Sequence, residues 1–77
     1  MANCHFKFHG KEYCAELSMV GNNSNKVAIF EFINRPYEIE VLKNVYSIYG
    51  KFLSLEEGIE SFKNFICEGK EGKYKSF

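Results

Sequence analysis

Two cysteines and two histidines near the N terminus are the side chains best suited to chemistry. Cys4-His5-x3-His9-x4-Cys14 has the donor types of a zinc site, which needs its ligands at about 2.0–2.3 Å from one ion. The segment carrying them argues against that use. Cys4 to His9 alternates, with Cys4, Phe6 and Phe8 on one side and His5, Lys7 and His9 on the other, the period of a half-buried strand. Four residues apart on a strand, His5 and His9 stand roughly 13 Å from one another. Cys4 and Cys14 project to opposite faces in the register derived below. We expect no metal and no cofactor. Cys14 is the second candidate. Placed beside Lys7, with His5 and Glu16 on the same face, its thiol would have a cation to lower its pKa and a base to activate it. An open strand face offers neither a cleft nor oxyanion donors, so the expectation is that the chain is not an enzyme. No P-loop, dinucleotide fingerprint, HExxH or EF-hand pattern occurs, and the aromatic pattern of an RNA-binding sheet is missing.

The elements that position these residues can be read from hydrophobic periodicity. Gly10-Lys11, taken as the centre of a type II′ turn, pairs Phe8 with Tyr13, Lys7 with Cys14 and Cys4 with Leu17. Cys4, Phe6, Phe8, Tyr13, Ala15 and Leu17 then share one face. His5, Lys7, His9, Glu12, Cys14 and Glu16 share the other, and a slip of one residue would scramble both sets. The second strand is expected to run to Met19 and to be followed by a polar loop at Gly21–Asn25. Val27–Ile33, rich in branched and aromatic residues, is a third strand. A turn at Asn34-Arg35 would place Tyr37–Leu42 as a fourth, with Phe32 facing Tyr37, Phe30 facing Ile39 and Ala28 facing Val41. Pro36 is tolerated at the first position of such a strand. A helix opened by Pro36 is the competing reading of this region, since Ile39, Leu42, Tyr46 and Tyr49 also fall at helical spacing. Val45–Tyr49 can form a short fifth strand.

The clearest element is the last. Ser54 and Glu57 form a capping box, in which each side chain reaches the backbone N–H of the other residue. Leu55, Ile59, Phe62 and Ile66 recur at i, i+4, i+7 and i+11, with Phe65 beside them, and Gly69 can end the helix in a left-handed conformation. The expected fold is α+β, an antiparallel four- to five-stranded meander with one C-terminal amphipathic helix packed on one face. Residues 1–69 form a single domain, and 70–77 a basic tail that Tyr74 and Phe77 can anchor.

The totals bound the function. In 77 residues, 45% are hydrophobic and 17% aromatic, enough for one thin core. Ten basic residues balance ten acidic ones, all of them Glu, so a nucleic-acid footprint over the whole chain is not expected. The N-terminal residues lack the pattern of a secretory signal and no apolar run has the length of a membrane span. With an odd three cysteines, this predicts a cytoplasmic, reduced chain with no membrane association. The phase adopted for the third and fourth strands collects Glu12, Glu16, Glu31, Glu38 and Glu40 on the outer face around Ile29, Ile33 and Leu42. Acidic residues around an apolar centre suit a protein partner with a basic surface. The expected partner-binding residues are therefore Glu12, Glu16, Ile29, Glu31, Ile33, Glu38 and Glu40. Two other readings stand beside this one. The first is a nucleic-acid binder using the lysine-rich tail, and the second a thiol-based redox or enzymatic site at Cys14.

In size, topology and charge pattern, the chain resembles the small phage-encoded anti-defence proteins of the anti-CRISPR type. The resemblance implies a non-catalytic inhibitor that occludes a basic, nucleic-acid-binding surface of a host defence complex, acting in the host cytoplasm.

Overall fold

A capped helix lies along one face of a four-stranded antiparallel sheet in the computed structural model, which describes residues 2–33 and 41–69. The strands follow one another in space as in sequence: β1 (Ala2–Phe8), β2 (Lys11–Gly21), β3 (Ser24–Ile33) and β4 (Val41–Lys51). Helix α1 (Leu55–Cys67) follows.

The helix ends are held as their residues dictate. The Glu57 N–H donates to Ser54 Oγ at 3.1 Å, and the Ser54 N–H donates to Glu57 Oε1 at 3.3 Å. Both oxygens satisfy donors that the first turn leaves without an intrahelical partner. At the far end Gly69 adopts φ 74° and its N–H reaches Ile66 O at 2.9 Å.

The first hairpin turns one residue earlier than the type II′ reading requires. His9 (φ 52°) and Gly10 (φ 78°) both take left-handed conformations. Positive φ at both central residues is the signature of type I′, whose twist matches that of the strands. The register becomes Phe8↔Lys11, Lys7↔Glu12, Phe6↔Tyr13, His5↔Cys14 and Cys4↔Ala15. Every partner moves by two residues relative to the expectation. A shift of two keeps each side chain on its own side of the pleat, so the two face sets of this hairpin survive while the pairings change.

Strands β2 and β3 meet in a tighter connection than a five-residue loop. Gly21 pairs with Ser24, Asn23 takes φ 57°, and the register shifts between Met19 and Gly21. On β3 the expected phase is inverted. Val27 and Ile29 are fully buried beneath α1, and Ala28, Phe30 and Phe32 occupy the opposite face. Apolar residues stand on both sides of this strand, so alternation alone cannot choose between them. Its neighbours do: Ala15 pairs with Ile29, and Ile29 with Tyr46.

Strand β4 joins two expected strands into one. Val41 and Leu42, assigned to the fourth, and Val45–Tyr49, assigned to a fifth, lie in a single run. Its pairs include Ile33↔Val41, Phe30↔Asn44 and Ala28↔Ser47 in place of Phe30↔Ile39 and Ala28↔Val41. Over residues 41–49 strand prevails over helix. The expected turn at Asn34-Arg35 and the segment 37–40 lie outside the described residues, as does the tail. The register shifts by one at Val45, a bulge, and Val45 and Tyr46 both pack on the core in succession. Asn44 Nδ2 donates to Ile29 O (3.1 Å) and Tyr46 O (3.2 Å) on either side of that bulge.

The core is built from Tyr13, Ala15, Val27, Ile29 and Phe62. The Phe62 ring meets Tyr13 edge-on at 4.9 Å and lies 5.7 Å from Tyr46 and 6.1 Å from Phe6. The helix is tied to the far end of the sheet. The Phe52 N–H donates to Asn23 O at 2.8 Å, and Asn25 Nδ2 donates to Leu53 O at 2.9 Å. Phe52 takes φ 53° there, a conformation uncommon for a bulky side chain.

Candidate docking face

The N-terminal cysteines and histidines do not converge. Among the described residues no group of three His, Cys or Glu side chains could hold a metal ion. Cys4 pairs across from Ala15 and His5 from Cys14, which puts the two thiols on opposite faces. His9 sits in the turn and stacks on Phe8 at 4.0 Å, and the His5 ring lies 5.2 Å from that of Phe32. Lys7 stands 4.0 Å from Glu12 in an exposed ion pair, not beside Cys14 as the type II′ register had it. Cys14 as a residue is 7% exposed. Burial pushes its pKa up, the Glu16 charge and Cys4 add to the rise, and a backbone hydrogen bond from Cys4 offsets part of it. It is therefore a protonated, shielded thiol at neutral pH, the opposite of an activated nucleophile.

Helix α1 covers one face of the sheet, and no described element covers the other. That open face can be laid out in rows from the strand pairings. At one end Lys7 and Glu12 stand near Phe32 and Leu42. The next row is His5, Cys14, Phe30 and Asn44. Then come Asn3, Glu16, Ala28 and Ser47, next Ser18, Lys26 and Tyr49, and finally Ser24 and Lys51. Cys14 and Ala28 are buried with no described element above them, small residues between larger ones. The centre is thus a shallow floor. Phe30 and Phe32 stand half-buried on one side of it, and Tyr49 and Leu42, more than half exposed, stand on the rim. Two recesses open here. One, of about 430 Å³ at the Lys7–Glu12 end of the sheet, is lined by His5, Lys7, Glu12 and Phe32 together with Phe6 and Tyr13 of the helix side. The other, of about 290 Å³, is lined by Lys26, Ala28, Phe30, Asn44, Ser47 and Tyr49.

No family model matches the sequence, and neither curated proteins nor solved structures yield a match.

The expected partner-binding residues are divided by that geometry. Glu12 and Glu16 lie on the open face. Ile29 is fully buried on the helix side, packed in the core with Phe62, and cannot offer a contact surface. Glu31 and Ile33 follow it on the same side of β3: Glu31 pairs with buried Tyr13 and with Lys43, and Ile33 with Val41. Glu38 and Glu40 lie outside the described residues. The acidic ring around Ile29 and Ile33 is not assembled among the described residues, because its β3 members belong to the other side of the sheet. The residues missed were Lys26, Ala28, Phe30, Ser47 and Tyr49. The signal for them was the pairing of β2 with β3, which the oversized loop at Gly21–Asn25 obscured.

Proposed function

We propose that the chain is a non-enzymatic protein-binding module that works through the open face of its sheet. The observation that carries this reading is a sheet face that no described element covers and that bears Phe30, Phe32, Leu42 and Tyr49 around a floor of small residues. An apolar relief of this kind, with charges at its margin, is the anatomy of a docking surface. The protonated Cys14 supports a binding role over a thiol-based one. Three lysines and two glutamates on the face, Lys7, Lys26, Lys51, Glu12 and Glu16, leave it far short of the basic excess that nucleic acid requires. Three free cysteines suit a reducing compartment such as the cytoplasm. Among the described residues no helix is long and apolar enough to cross a membrane. Such a module needs no chemistry to act as an inhibitor, since covering a partner's working surface is sufficient.

The test is positional photo-crosslinking in cell extract. A crosslinker at Ser47, on the open face, should capture protein, whereas one at Glu60, exposed on α1, should not. Equal capture from both positions, or capture from Glu60 alone, overturns the reading.

A further inference from the structure

Glu16 and Lys26 are opposite charges on the two central strands of the open face. Both are half-buried, and neither has an ion-pair partner among the described residues. Glu16 pairs with Ala28, and Lys26 lies two residues before Ala28 on the same strand. The two positions are therefore offset by one strand spacing, about 4.8 Å, and by two residues, about 6.7 Å. On the other diagonal of this square stand Ser18 and Ala28, both small.

We infer that the occupant of this face is a second copy of the chain, packed sheet against sheet about a two-fold axis that exchanges Glu16 with Lys26. The inference rests on the reading of the open face as a docking surface and names its partner. A dyad in the plane of the interface, perpendicular to the line joining the two residues, sets Glu16 of each copy over Lys26 of the other. The line lies about 36° from the strands, so the strands of the two sheets cross at about 70°. That is close to the orthogonal class of sheet packing, so the charge pattern and the packing geometry agree. Ser18 and Ala28, beside the axis, let the sheets approach. Phe30 and Tyr49 then fall within reach of the other copy's face, where they supply dry contact. The diagonal of Glu16 and Lys26 favours the chain's own copy over a partner of single sign, because opposite charges exchanged by a two-fold axis are complementary to themselves.

The size of the overlap sets the strength. Two sheets of four strands crossing at this angle share roughly 400 Å² of flat area per copy. With side-chain relief, the total surface buried comes to about 1,000 Å², the lower bound for a specific interface. The dimer should accordingly be weak, dependent on concentration and weakened by salt.

Sedimentation equilibrium of the full chain, up to about 1 mM, reads the association. Glu16→Lys puts lysine opposite lysine at both symmetry-related contacts, and Lys26→Glu puts glutamate opposite glutamate. Each change alone should weaken association at least about tenfold. Mixing the two variants should restore it, because every contact in the mixed dimer again joins a lysine to a glutamate. That recovery also shows that both variants fold. A parent chain that stays monomeric throughout overturns the second copy and leaves the docking reading to the crosslinking test. A dimer indifferent to both charge changes but lost in Ser18→Arg overturns the two-fold arrangement and keeps the face. A dimer indifferent to all three changes overturns the face as its interface.

Discussion

Gly58 of α1 rests directly on Val27 of β3: a Cβ built on Gly58 would lie 2.4 Å from Val27 Cγ1 and 2.5 Å from Val27 Cβ. The glycine is buried at this crossing, and its missing side chain is what brings the helix down to the sheet. In an exposed helix, Gly→Ala gains about 1 kcal/mol. Here the added methyl must displace a fully buried valine, and overpacking of that kind costs about 1–3 kcal/mol. Gly58→Ala should therefore lower the stability seen in urea melts despite its better propensity. Adding Val27→Ala should recover part of the loss, a coupling that a double-mutant cycle reads directly. Additive effects would show that the two residues do not touch.

Phe62 should be the most costly truncation on the helix. It is 2% exposed and its ring meets three other aromatics. Phe62→Ala is expected to cost about 3–5 kcal/mol. Ile59, only partly buried, should cost less. Ser54→Ala removes one half of the capping box and should cost about 1 kcal/mol. Thermal melts of the three variants should rank them in that order.

The first turn offers a stabilising change. His9 holds a left-handed φ of 52° ahead of Gly10, and asparagine before glycine is the preferred pair for a type I′ turn. His9→Asn should raise stability by about 0.5 kcal/mol. Gly10→Val should lower it, because the φ of 78° suits no branched side chain. A loss of stability in His9→Asn would mean that the stacking of His9 on Phe8 outweighs the backbone preference.

Cys14 should impose a pH dependence at the alkaline end. Its pKa is raised from the ordinary 9.0 by burial, Glu16 and Cys4. The folded chain therefore holds this proton more tightly than the unfolded chain does. The stability from this group is fully present below pH 9.0 and is lost as pH rises through the folded-state pKa. Cys14→Ala should flatten the alkaline limb of a stability-versus-pH curve. In the folded parent chain, alkylation at neutral pH should mark exposed Cys4 and Cys67 before Cys14.

The parts of this fold legible in sequence are those set by local chemistry. Ser54, Glu57 and Gly69 mark both ends of α1, and its stripe has one phase only. The faces of the first hairpin follow from alternation, even though the turn is centred on His9-Gly10. A glycine fits either the second position of type I′ or the first of type II′, and the two choices differ by a shift that alternation cannot detect. Strand β3 is the instructive failure. Val27, Ile29 and Ile33 compete with Ala28, Phe30 and Phe32 for the core, and only pairing to Ala15 and Tyr46 decides. Because the candidate site lies on the face that loses this competition, the same ambiguity displaced Ile29 and Glu31 onto a surface they do not occupy. Gly58 was equally silent, since a lone glycine in a helical pattern reads as lost propensity and not as a contact.

The order of the strands carries a kinetic consequence. Among the described residues each strand pairs with its neighbour in the chain, so none of these pairings needs a distant segment to arrive first. The entropy of loop closure is met in small steps as each hairpin zips onto the last. The long closure is left to the helix, when Phe62 reaches back across the chain to Phe6. The sheet can thus begin to assemble from the N terminus while α1 is still unattached.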